Sequence, residues 1–133
     1  MDLHEVLTKL RERLVPIPDG VLAVYLFGSV ARAQARSSSD IDVGVLYEVT
    51  PPATLEGLGF ELAYELELTT RRSIDLVVLN RAPPDLIHRV MRDGILVVER
   101  ERNRRIAWEV QARNEYFDLE PIRRRYRRQQ ANA

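Results

Sequence analysis

VLAVYLFGS (residues 21–29) and, after an intervening ten residues, DIDVGVL (residues 40–46) decide how this chain folds. Val21 to Phe27 is nearly all apolar and rich in β-branched and aromatic side chains, the composition of a buried strand. Gly28 has no Cβ, so the backbone can bend sharply there and admit a bulky anion. Ser29 adds a hydroxyl and a backbone N–H at the start of a helical-looking piece, Val30 to Ala35, whose exposed N–H groups favour phosphate. The linker from Ala31 to Ser39 then returns the chain to a second strand, Ile41 to Leu46. Residues two apart on a strand share a side, so Asp40 and Asp42 project together while Ile41 and Val43 pack on the opposite face.

Two carboxylates held side by side repel each other, and burying either one uncompensated is costly. Mg²⁺ relieves both problems, because it prefers hard oxygen ligands and shares its remaining positions with substrate phosphates. A third carboxylate on a neighbouring strand is then expected. SIDLVVL (residues 73–79) supplies it, with Asp75 the only acid in an apolar, strand-like run. Taken singly, Asp40 also reads as a turn cap and Asp75 as a carboxylate at a sheet rim; the whole constellation is what points to phosphate and metal.

The pattern Gly28-Ser29, Asp40, Asp42 and a downstream Asp75 resembles the signature of the polymerase-β-like nucleotidyltransferases. The short length, the Val97-Val98-Glu99-Arg100 end of the core and the Tyr116-Phe117-Asp118-Leu119 helix end resemble their minimal members, the MntA-type antitoxins that pair with HEPN-type toxins. The resemblance implies transfer of AMP from ATP to a tyrosine hydroxyl of a HEPN-type ribonuclease toxin, which silences it. It also implies that Asp40 and Asp42 bind two divalent ions (Mg²⁺ or Mn²⁺), that Asp75 binds the one activating the hydroxyl, and that Gly28 and Ser29 hold the terminal phosphates of ATP. One departure is visible: those proteins usually carry Gly after the Ala-Arg that follows Gly-Ser, and here Ala33 stands there.

A chain of 133 residues accommodates one core with at most a helical appendage. There is no cysteine, which excludes disulfides and thiolate metal sites and accords with a reducing compartment. The N-terminal MDLHEVLTKLRERL alternates charged and apolar residues, so it reads as neither a signal peptide nor a membrane span. The expected location is cytoplasmic, with no membrane partner. Charge balances overall but not locally: residues 1–99 hold ten basic against fifteen acidic side chains, and residues 100–133 hold ten against five. The split implies an acidic partner for the C-terminal section or pairing between the two parts.

Around the central stretch, Asp2 and Glu5 open an amphipathic helix with Leu3, Val6, Leu7, Leu10 and Leu14 on one stripe, stopped by Pro16 and Pro18. His4 lies off that stripe and reads as solvated. Thr50-Pro51-Pro52 is expected to open a further helix with Leu55, Leu58, Leu62 and Leu66 on one face, weakened by Gly57 and Gly59. Its glutamates read as a solvated face, with Glu65 or Glu67 able to reach a basic partner. Arg71 and Arg72 read either as structural or as neutralising a triphosphate. Asp85 to Arg92 is a short helix with Leu86, Ile87, Val90 and Met91 inward and His88 on the surface, closed by Gly94 as a left-handed residue. Ile95 to Glu99 is a fourth strand. Glu101 to Asp118 is a longer helix with Ile106, Val110, Arg113 and Phe117 near one face and Trp108, Gln111 and Glu115 elsewhere; its apolar residues and arginines read as a handle for an acidic protein partner or as a helix that covers the sheet. Pro121 breaks it, and a basic tail follows.

The expected architecture is α/β (α+β): a nucleotidyltransferase core, residues 1–99, built on a small mixed, twisted sheet flanked by helices, and a C-terminal helical extension, residues 100–133, with the basic tail. A chain this short has no second domain to hold an acceptor, so the surface of a macromolecular acceptor must complete the site. Three other readings remain open at this level: transfer to a small molecule such as an aminoglycoside, neutralisation of a partner by steric binding alone, and nucleic-acid binding through the tail.

Overall fold

The N-terminal helix α1 (Leu3–Leu14) starts where Asp2 accepts a hydrogen bond from the Glu5 backbone N–H at 2.9 Å. Its stripe of Val6, Leu10 and Leu14 is fully buried, while His4 is exposed. The computed structural model describes residues 1–36 and 39–131. Ser37 and Ser38 of the predicted linker, and Asn132 and Ala133 of the tail, lie outside the described residues.

Strands β1 (Val21–Phe27), β2 (Ile41–Tyr47), β3 (Ile74–Val78) and β4 (Ile95–Glu99) form one sheet in the order β3-β2-β1-β4. β1 runs antiparallel to both β2 and β4, and β2 runs parallel to β3. The sheet is therefore mixed, as expected, with β1 and β2 at its centre. A parallel pair needs a crossover, and α3 (Phe60–Thr70) provides it between β2 and β3. On one face Val24 and Leu26 of β1 and Ile41, Val43 and Val45 of β2 pack against α1 and against Leu62 and Leu66 of α3. On the other, Leu22, Tyr25 and Leu46 pack against Val90 and Leu86 of α4 (Pro84–Asp93) and Trp108 of α5 (Arg102–Asp118). Helices thus cover both faces, so the openings left to the sheet are its strand ends and its edges.

Several local expectations are corrected. The helical piece after Ser29 is a single turn, α2 (Gly28–Ala31), because Ala33 takes the left-handed conformation with φ 57° and ends it. The helix expected from Thr50 begins only at Phe60; Gly59 has φ 84°, outside helical geometry, and Leu55 is exposed rather than on a helical face. Gly94 is extended at φ −79°, not left-handed. It is wanted for space, since a Cβ there would sit 2.2 Å from the Val90 carbonyl oxygen. The face of α5 turned toward the core is Arg105, Trp108, Ala112 and Tyr116. Ile106, Val110 and Phe117 are exposed. His88 is not a free surface residue either, because it stacks on Tyr116 with ring centroids 3.9 Å apart.

A polar network fixes α5 to the sheet. The Tyr25 hydroxyl donates to Glu109 at 2.7 Å, and Arg105 bridges Glu99 and Glu109. Burial, then the carboxylate of Glu109, pushes the Tyr25 hydroxyl far above the ordinary tyrosine value, so it stays a donor. The chain breaks at Leu119 and resumes as α6 (Glu120–Ala131), with Pro121 in its first turn, where no intrahelical N–H is needed. Arg123 ties α6 back: it pairs with Glu120 and Asp85 and lies 3.9 Å from the Tyr116 ring centroid. The remaining arginines of α6 are exposed.

Candidate active site

The register of the sheet lines up the predicted residues. Phe27 pairs with Asp42 across β1 and β2, and Asp42 pairs with Asp75 across β2 and β3. Phe27, Asp42 and Asp75 therefore lie along one row crossing three strands, with neighbouring strands about 4.8 Å apart, and Gly28 follows directly at the end of β1. Alternation turns Ile41, Val43, Ile74 and Leu76 toward the α1 and α3 layer, which leaves Asp42 and Asp75 on the α4 side.

Gly28 is fixed here by two independent constraints. Its φ is 74°, a conformation that side-chain-bearing residues avoid, and a Cβ on it would lie 2.0 Å from Oδ2 of Asp42. The turn of the chain and the position of the carboxylate thus depend on the same missing atom.

A cleft of about 450 Å³ runs over this row. Gly28, Ser29, Asp42 and Asp75 line it, and α4 closes its far side with Leu86, Arg89 and Asp93. The cationic side chains are Arg32 and Arg89. Arg32 lies 3.8 Å from Asp93, whose carboxylate Arg92 also binds and holds below the ordinary aspartate range. Arg89 makes no ion pair among the described residues. Neither arginine was singled out from the sequence. Arg32 follows the Gly-Ser turn at a fixed distance and was legible in principle; Arg89 is placed only by the packing of α4. With α2 reduced to one turn, its dipole is small, and these two arginines supply most of the positive charge available to an anion.

The acidic end is only partly compensated, by Arg32. Burial pushes the Asp42 carboxyl up from its ordinary value of 3.8, and the charges of Asp75 and Asp40 push it further in the same direction, while Arg32 opposes them. Asp42 is half-buried; Asp40 and Asp75 are exposed, and Asp40 does not line the cleft. Among the described residues no three acidic or histidine side chains converge closely enough to hold a metal ion by themselves. The all-oxygen donor set and the surplus negative charge fit a hard divalent cation whose other ligands come from a substrate phosphate or water.

The predicted alternatives for the surrounding side chains separate here. Arg72 is structural: its guanidinium donates to the backbone carbonyls of Ser39 and Arg36, at the approach to Asp40. Glu65 pairs with Arg13 of α1, and Glu67 accepts from the Ile74 N–H at 3.2 Å. Among the described residues no helix is long and apolar enough to cross a membrane.

Residues 9–103 match the family model described as polymerase beta, nucleotidyltransferase. The chain is 30% identical over 100 residues to a candidate protein adenylyltransferase of Methanocaldococcus jannaschii, covering 74% of this chain and 100% of that protein. Its structure is similar to a chain of a toxin–antitoxin complex crystallised with AMP-PNP, with a TM-score of 0.76, 25% identity, and coverage of 90% of this chain and 94% of the other. A complex of a tri-AMPylated Shewanella oneidensis HEPN toxin with its MNT antitoxin contains a similar fold, with a TM-score of 0.71, 23% identity, and coverage of 93% and 94%.

Proposed function

We propose, for a chain that belongs to the polymerase β nucleotidyltransferase family, a divalent-metal-dependent transfer of AMP from ATP to a hydroxyl on a HEPN-type toxin, which neutralises the toxin. The observation that carries this reading is the pairing of Asp42 with Asp75 beside the Gly28 turn, with Arg32 and Arg89 lining the same cleft. It sets a glycine-serine turn directly beside two carboxylates on adjacent strands.

In the reaction the hydroxyl oxygen bonds to the α-phosphorus, the bond from that phosphorus to the oxygen bridging to the β-phosphorus breaks, and pyrophosphate leaves. Arg32, Arg89 and the Gly28-Ser29 turn hold the outer phosphates and stabilise the charge that builds on the leaving group. Asp75 takes the proton of the attacking hydroxyl. Asp42 and Asp75, joined by Asp40, would hold the divalent ion, which neutralises phosphate charge and makes the hydroxyl easier to ionise. The acceptor is macromolecular in this reading because the cleft is open and the described residues form no outer wall for it. The similar complexes, which pair toxin with antitoxin, and the adenylyltransferase relative support the choice of partner.

The test uses ATP labelled at either the α- or the γ-phosphate, Mg²⁺, and a purified HEPN-type protein identified by gene neighbourhood. The α-label is expected on the partner and the γ-label in pyrophosphate. Asp75→Asn should lower turnover by about two orders of magnitude or more with little change in ATP affinity. Transfer of the γ-label instead, or equal turnover by Asp75→Asn, would overturn the assignment.

A further inference from the structure

β3 is an outer strand, and the helix beside it presents an unexpected surface. α3 buries Leu62, Leu66 and Thr70 on one side, yet on the other it exposes Phe60, Tyr64 and Leu68 at four-residue spacing, each at 60% or more. Three large apolar side chains in a row are not the pattern of a solvated helix face. Phe60 and Tyr64, with Leu58 and Leu76, wall a groove of about 400 Å³. Its charged lining groups are Glu67 and Asp75. Asp75 also lines the candidate active-site cleft, so the groove and the cleft share a wall.

We infer that this groove seats the acceptor, a segment of a partner protein that presents its hydroxyl beside apolar side chains. The inference rests on the transfer reaction proposed above. In an in-line displacement the attacking oxygen and the leaving pyrophosphate lie on opposite sides of the α-phosphorus. The phosphate-binding elements, Gly28, Ser29 and Arg32, follow β1; Asp42 lies on β2 and Asp75 on β3. With the leaving group on the β1 side, the attacking hydroxyl must arrive past Asp75, from outside the β3 edge. The groove lies on that approach. Its chemistry selects among acceptors: an acidic lining residue, Glu67, with no basic one among the lining residues, disfavours a nucleic-acid backbone, while apolar and aromatic walls suit protein side chains better than a polar sugar. Exposed aromatic side chains beside a reactive centre are also the type that dominates protein-interface affinity.

The test is the double variant Phe60→Ala/Tyr64→Ala, at two exposed positions outside the catalytic row. It is compared with the conservative Phe60→Leu/Tyr64→Phe, using a purified HEPN-type partner. Transfer of the α-label at varied partner concentration, partner binding by calorimetry without nucleotide, and ATP binding are measured in parallel. The alanine pair is expected to raise the acceptor KM and the partner Kd about tenfold or more, to leave ATP affinity within about twofold, and to be largely rescued by the conservative pair. Unchanged acceptor KM and partner Kd would overturn the inference. So would wild-type self-association that the alanine pair abolishes with no change toward the partner, because the groove would then be an interface between copies of this chain. If the wild type binds the partner but transfers no label, the transfer reading alone has failed. Partner binding then decides the groove: a tenfold loss in the alanine pair supports it as the docking surface, and no loss overturns it.

Discussion

Gly28→Ala tests the shared geometry of turn and carboxylate most directly. The added Cβ would stand 2.0 Å from Oδ2 and 2.8 Å from Cγ of Asp42, whereas ordinary contact begins at 3.4 Å. The carboxylate or the turn must therefore retreat by roughly 1.4 Å, the difference between those distances. Displacements of about 1 Å in a reacting constellation cost on the order of 10²-fold in rate, so turnover should fall by about 10² or more. The left-handed backbone adds roughly 1–2 kcal/mol of strain, which for a chain of this size lowers Tm by about 3–8 °C. Gly20 supplies the control, since its φ is 80° and nothing lies within 4 Å of where a Cβ would go. Gly20→Ala carries the strain without the collision: a similar fall in Tm, with label transfer unchanged. Thermal melts and α-labelled ATP assays on both variants decide the matter. Turnover by Gly28→Ala within about threefold of wild type would refute the coupling of turn to carboxylate.

The raised Asp42 pKa makes a second prediction, whose sign follows from linkage. Its ionised form weighs against folding at neutral pH, and that penalty fades as pH falls through the folded-state pKa toward 3.8. Asp42→Asn should therefore melt higher than wild type at pH 7 without divalent ions, show no advantage at pH 3.8 or below, and abolish transfer; an equal Mg²⁺-induced rise in Tm in both proteins would count against the metal assignment. Ala33 holds φ 57°, so Ala33→Gly should stabilise the protein by about 0.5–1 kcal/mol, read by denaturant unfolding; a loss of stability would show that the turn is not strained. Deleting residues 124–133 spares Arg123 and its contacts to Asp85 and Tyr116, so α5 should stay docked with an unchanged melt, while affinity for an acidic protein partner falls and loses salt dependence. Unchanged affinity and salt dependence would remove the tail as a handle.

The sheet and the carboxylate row were legible because both rest on short-range rules. An apolar run flanked by turn residues marks β1, and alternation in Asp40-Ile41-Asp42-Val43 places acids and core residues on opposite sides. That Asp75 falls beside Asp42 needs the parallel register of β2 with β3, which no local pattern encodes. The C-terminal helix shows the other limit. Ile106, Val110, Arg113 and Phe117 form one helical stripe, and Arg105, Trp108, Ala112 and Tyr116 form another beside it. Periodicity identifies both and cannot rank them. The ranking comes from tertiary polar partners, Tyr25 and Glu99, which draw Glu109 and Arg105 toward the sheet. For the same reason Arg89 was invisible as a cleft residue, and His88, kept out of the cleft as expected, gave no sign of its stacking on Tyr116: both depend on which way α4 rolls against its neighbours.

β3 is held by a single ladder, from Ile41↔Ile74 to Val45↔Val78, and by the helix that leads into it. Fraying of that outer strand would carry Asp75 away from Asp42 and relieve the repulsion between them, so in the absence of a counter-charge the electrostatics of the site favour local opening at this edge. A ligand that neutralises the pair acts as a clasp on the strand. Amide exchange in Ile74 to Val78 should therefore slow when the cleft is occupied, while exchange in the central strand β1 stays nearly constant, which gives an occupancy signal that needs no turnover at all.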